Sequence, residues 1–196
     1  MSSNCCVFKT PIILNGHNRQ AYVPDAFSIG PRHYGQIHSK GTQKLKLKYL
    51  EGLIHHSPNP VTRLVELEEA MTEIKLETHE CYGGPVIFSG EEFVKILVLD
   101  GCLIIELFWK DVDEVERDED DPIFIMSCML HLLYLALILQ ENQVPWLVLD
   151  SFFNLTRAAN ETKSLSRLAI EFFGNMFSSD APSMDRNLFF GKDLSE

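Results

Sequence analysis

Apolar residues recur at spacings of three and four through most of the chain from Lys44 to Phe177, a period that predicts a mainly α-helical fold. Leu45, Tyr49, Gly52 and Leu53 form one stripe of a helix over 44–56, with Lys44, Lys46 and Lys48 spread over the rest of its surface. Ser57-Pro58-Asn59-Pro60 ends it, because each residue before a proline is pushed out of the helical region. Val61, Leu64, Val65, Glu68, Met71, Ile74 and Leu76 predict an amphipathic helix over 61–79 that packs through this face. Ser89 and Glu92 have capping-box spacing. The helix they open, from Gly90 to about Trp109, is apolar nearly all round, as a central buried helix is.

Asp121-Pro122 places an N-cap and a proline at the first helical position, ahead of 18 residues, Pro122 to Leu139, without a charged side chain. That length reaches the lower limit for a membrane span. The acidic upstream flank, the lack of Lys or Arg downstream until Arg157, and the interruptions at Ser127, His131 and Tyr134 favour a buried core helix instead. Further helices are predicted over 146–155 and 162–177, where apolar residues again take helical spacing. From Cys5 to Gly35 the chain is rich in Pro, Gly and Asn, with β-prone runs Cys6-Val7-Phe8 and Tyr22-Val23, and reads as short β-strands and turns. The expected organisation is an extended basic segment over 1–40, a helical domain over 41–178, and a polar tail over 179–196 that is apolar only at Leu188-Phe189-Phe190.

Charge adds an asymmetry to this picture. The net charge of −11 combines +5 over residues 1–56 with −7 over 111–121 alone. Five of the seven histidines (His17, His33, His38, His55, His56) also lie in the basic part. A basic arm neutralised by an acidic body explains this better than nucleic-acid binding, for which aromatic–basic interleaving and zinc-finger spacing are both missing. Asp111 to Asp121 reads as a solvated, flexible acidic loop. It lacks the glycine and the third ligand of a calcium loop, because Val115 stands where an oxygen donor is needed.

Five cysteines (Cys5, Cys6, Cys81, Cys102, Cys128) with no C-x-x-C pair read as free thiols rather than a disulfide framework or a zinc ribbon. No secretory run opens the chain, so the expected compartment of this chain is cytoplasmic, and the sequons at Asn154 and Asn160 read as chance matches. No catalytic, cofactor or metal constellation emerges. A dispersed site built on Cys81 with a histidine such as His79, or on Asp100 with Glu106, is disfavoured against a non-enzymatic module with a protein partner.

Three stretches in order carry a family resemblance: Ala21-Tyr22-Val23-Pro24 with Ser28-Ile29-Gly30-Pro31-Arg32-His33-Tyr34-Gly35, then Leu99-Asp100-Gly101-Cys102 with Glu106-Leu107-Phe108, then Glu141-Asn142-Gln143-Val144-Pro145 running to Phe153. Cys81-Tyr82 adds a short element. Together they resemble the plant family known as domain of unknown function 247. Relatives have an Arg-Asp pair before Glu-Asn-Gln where this chain has Leu135-Ala136, and an arginine where it has His79.

The resemblance implies no catalytic residue. It implies longer relatives that end in a hydrophobic membrane anchor, and for some members a role in pollen–stigma self-incompatibility. Structural roles are expected for the matched residues Tyr22, Pro24, Gly30, Pro31, His33, Asp100, Gly101, Glu141, Asn142, Gln143 and Pro145, as turn formers, helix interrupters and partners of helix ends.

Overall fold

The computed structural model describes residues 5–35, 41–112 and 115–177. The tail over 179–196, with Leu188-Phe189-Phe190, lies outside them, as do Asp113 and Glu114 of the acidic run. Eight helices follow one another among the described residues: α1 (Ile12–His17), α2 (Gln43–His56), α3 (Pro60–Glu80), α4 (Gly90–Asp111), α5 (Pro122–Ile125), α6 (Ser127–Ile138), α7 (Trp146–Thr156) and α8 (Leu165–Phe177), with a 3-10 turn at Arg19–Tyr22. The mainly helical expectation holds.

No strand forms among the described residues, so the β-prone N-terminal runs do not pair into sheet. Val7 makes one isolated parallel bridge with Tyr82, and Ile12-Ile13-Leu14 winds into α1 instead of extending. A strand needs a neighbour to take up its backbone groups, and this segment finds its partners among side chains and helix ends.

α4 is the axis of the fold. Phe93, Leu97, Leu103, Ile105 and Leu107 are all buried, and α2, α3, α7 and α8 pack around it. Ser89 caps its start by accepting the Glu92 amide. Aromatic contacts tie the outer helices to it: Trp109 stacks on Phe153 with centroids 5.4 Å apart, and Phe108 meets Phe172 at 5.1 Å.

The predicted face of α3 is corrected. Met71 of the predicted stripe is buried and Ile74 half-buried, but Val61 is 96% exposed and Leu64, Val65 and Leu76 also face outward, whereas Arg63, Leu67 and Thr78 are buried. Both stripes have helical spacing, and the one against α4 and α7 contains Arg63, which is buried beside Glu66 at 2.5 Å.

The uncharged run over 122–139 is also corrected. Met126 is extended (φ −100°, ψ 101°) and splits it into α5 and α6, its carbonyl accepting the Met129 amide at 2.8 Å. The 12 residues of α6 reach about 18 Å at 1.5 Å per residue, well short of a bilayer core. No helix among the described residues is long and apolar enough to cross a membrane.

Gly101 lets α4 and α7 approach closely. A Cβ there would lie 2.8 Å from Cδ2 of Phe152, a fully buried ring with nowhere to retreat. Helix propensity alone makes Gly101→Ala stabilising by about 1 kcal/mol. The contact reverses the sign: α4 and α7 must separate, and we expect a net loss of about 1–3 kcal/mol in urea unfolding, partly recovered by Phe152→Leu in the same chain. A more stable Gly101→Ala variant would contradict this packing.

Candidate functional site

Residues 27–30 run through the interior without regular structure, so their backbone groups need partners. Distant side chains supply them. Asn142 accepts the Ile29 amide at 2.7 Å and donates to the Phe27 carbonyl at 3.0 Å and to Ala136, near the end of α6, at 2.9 Å. Asp100 accepts the Gly30 amide at 2.7 Å. Lys46 donates to the Ser28 carbonyl at 2.5 Å and to the other Asp100 oxygen. Lys46, Asp100 and Asn142 are all at most 1% exposed.

Gly30 sits at φ +73°, a backbone region that favours glycine, and a Cβ there would collide with the Gln143 carbonyl. The same carbonyl accepts the Tyr82 hydroxyl at 3.0 Å, while the Gln143 amide donates to Leu137 and Leu139 at 2.5 and 2.9 Å, closing the end of α6. Glu141 accepts the Thr10 amide at 2.7 Å and faces Arg32 at 3.8 Å, and Arg32 donates to Gly83.

The structure thus brings Gly30, Asp100, Glu141, Asn142 and Gln143 into one junction with Cys81-Tyr82. Pro24, Pro31, His33 and Pro145 are buried, Tyr22 ends the 3-10 turn, Gly101 faces Phe152, and the Pro145 carbonyl accepts the Val148 amide at the start of α7. Burial pushes the Asp100 carboxyl up, and Lys46 and the Gly30 amide draw it back only in part.

Lys46 is the member that sequence reasoning missed, because lysines on α2 were read as surface. The available signal was its position three, four and seven residues before Tyr49, Leu50 and Leu53, on the stripe that is buried.

A second polar centre lies between α2 and α4. Glu106 is fully buried, its Oε1 would be 2.8 Å from a Cβ at Gly52, and the same oxygen lies 3.2 Å from Nδ1 of His56. Among the described residues neither Glu106 oxygen finds a hydrogen-bond donor. One helical turn on, Lys110 lies 3.0 Å from Asp121 and 3.3 Å from Asp118, and over the Tyr49 ring, whose hydroxyl donates to Asp121 at 2.8 Å.

The acidic run is therefore held rather than free over its described residues. Asp121 caps α5 through the Ile123 amide, Lys48 pairs with Asp118 and Asp120, and Arg117 donates back to the Lys110 and Asp111 carbonyls.

Neither dispersed catalytic pair is assembled as such. Asp100 is tied to Lys46 and Glu106 faces His56, while burial pushes the Cys81 thiol up to about 12, far from an activated nucleophile. His79 packs against Phe93 at 5.1 Å. Among the described residues no group of His, Cys, Asp and Glu could hold a metal ion.

Burial raises the Glu106 carboxyl from 4.5 to about 7; Lys110 opposes this, and Asp118 and Asp121 add to it. Between those values the folded chain keeps a proton that the unfolded chain has released. Its stabilising contribution is complete below pH 4.5 and lost as pH rises to 7. His56 has the opposite slope: burial, His55 and Lys110 lower its pKa against the pull of Asp118, so its contribution grows as pH rises toward 6.5. Replacing Glu106 with Gln removes the first slope. In urea titrations the stability difference, variant minus wild type, should be roughly 2 kcal/mol larger at pH 8 than at pH 5. An equal difference at both pH values would contradict a protonated, buried Glu106.

A UPF0481 protein of Arabidopsis thaliana is 30% identical over 172 residues, which cover 88% of this chain and 36% of the relative, so the chain spans about a third of that protein's length. No solved structure matches. The profile described as "Plant protein of unknown function" (DUF247) matches residues 7–193, nearly the whole chain, and the chain therefore belongs to this plant family.

Proposed function

We propose that the chain is a non-enzymatic protein-recognition module. The inward commitment of the motif side chains supports this: Lys46, Asp100 and Asn142 are bound to one another or to backbone, which leaves partner contact to the surface between the motifs. Two exposed parts of that surface are acidic. Glu116, Glu119 and Asp120 face outward on one loop, and Glu69, Glu73 and Glu77 face outward at four-residue spacing on α3. Such a surface suits a basic protein partner and repels nucleic acid. In the longer proteins of the family, a membrane anchor outside the matched region would hold the module at a membrane, and self-recognition between pollen and stigma is a process in which it would act.

Glu116 and Glu119 are the residues to change, because Asp118 and Asp121 hold the fold. Wild-type chain and a Glu116→Lys, Glu119→Lys variant, matched in thermal stability, are used to capture partners from floral tissue at low and high salt. The expected result is a partner retained by the wild type at low salt and lost both in the variant and at high salt. Identical partner sets from the two chains would overturn the role of the acidic surface.

A further inference from the structure

Two cysteines 75 positions apart in sequence meet where the N-terminal segment joins the end of α3. The amides of Cys6 and Val7 both donate to the Cys81 carbonyl at 2.9 Å, and the Gly83 amide donates back to Val7 at 2.8 Å. An N···O contact of 2.9 Å keeps the two Cα atoms no more than about 6.8 Å apart, given the bond lengths on either side. Disulfides span Cα separations up to about that value. Burial is the main cause that raises the Cys81 thiol, and the neighbouring Cys6 thiol adds to it, as a group close by does. Cys5, next in sequence, directs its sulfur at the Val7 carbonyl 4.0 Å away. Cys6 is exposed and Cys81 is buried, so one thiol of the pair is open to a reagent and the other is shielded behind it.

We propose that Cys6 and Cys81 are an oxidisable dithiol that closes to a disulfide by exchange with a small disulfide such as oxidised glutathione. The Cys6 thiolate attacks one sulfur of glutathione disulfide, forming a mixed disulfide and releasing one glutathione thiolate. The Cys81 thiolate then attacks the Cys6 sulfur and releases the second. Two thiols are oxidised, one disulfide is reduced, and the two protons lost from Cys6 and Cys81 end on the two glutathione thiols. The bridge closes a loop over 6–81 that contains residues 27–30 and ends next to Tyr82, whose hydroxyl donates to Gln143, so it would fasten the buried junction covalently from the outside.

The shielding of Cys81 gives the second step a signature. Burial raises the Cys81 thiol, so its thiolate is scarce at neutral pH, and ring closure should accelerate as pH rises from 7 to 9.

The test treats the full chain with oxidised glutathione, traps residual thiols by alkylation and reads intact mass and cross-linked peptides over time. The expected product has lost two hydrogens, joins the peptide containing Cys5 and Cys6 to that containing Cys81, and persists in Cys5→Ser. It vanishes in Cys6→Ser, an exposed position at which folding is preserved, and its thermal midpoint lies above that of the reduced chain. A glutathione adduct on Cys6 that never closes, a bridge that survives Cys6→Ser, or a closure rate independent of pH would overturn the proposal.

Discussion

The fold depends on a buried ion pair that serves a stretch of backbone. Lys46 and Asp100 contact each other out of water, and each also binds a main-chain group of the segment over 28–30. Removing two such charges from solvent costs several kcal/mol per ion, and mutual attraction alone often fails to offset it. Here the pair also satisfies the Ser28 carbonyl and the Gly30 amide, which would otherwise lie buried without partners at about 1–3 kcal/mol each. Asn142 does the same for Phe27 and Ile29 from the other side. An irregular segment thereby becomes part of the core, and three sequence stretches that look unrelated form one junction.

α4 carries two polar centres of different character. At Asp100 the carboxylate is supplied with a cation and an amide. Six residues on, Glu106 is equally buried but has only the edge of His56 nearby, while Lys110 is occupied by Asp118 and Asp121. The first centre locks the N-terminal segment. The second holds its proton up to about pH 7, which makes the α2–α4 contact sensitive to pH.

The helices were legible wherever apolar spacing, caps and prolines agreed. α2 and α4 begin within one residue of expectation, and Asp121-Pro122 opens α5 as predicted. The failures have physical causes. α3 offers two helical stripes, and only tertiary packing selects the one with Arg63 and Leu67. The run over 122–139 has no breaker residue at Met126, so its interruption could not be read from local preference. Asp100, Asn142 and Gly30 stand out in the family motifs, but their common location is hidden by sequence distance: Asn142 binds Ile29, the neighbour of Gly30, across 113 positions. Lys46 was hidden by its chemistry, since lysine reads as surface until a buried carboxylate is found to receive it.

The claim that this junction, rather than regular secondary structure, holds residues 27–30 in the core is tested most directly by native-state hydrogen exchange at the Ile29 and Gly30 amides. If Asn142 and Asp100 bind them as described, both amides exchange only through global unfolding, with the same free energy and denaturant dependence as amides of Leu103 and Ile105 in α4. Fast, denaturant-independent exchange at Ile29 and Gly30 while α4 stays protected would show that the segment opens alone, and would contradict the account.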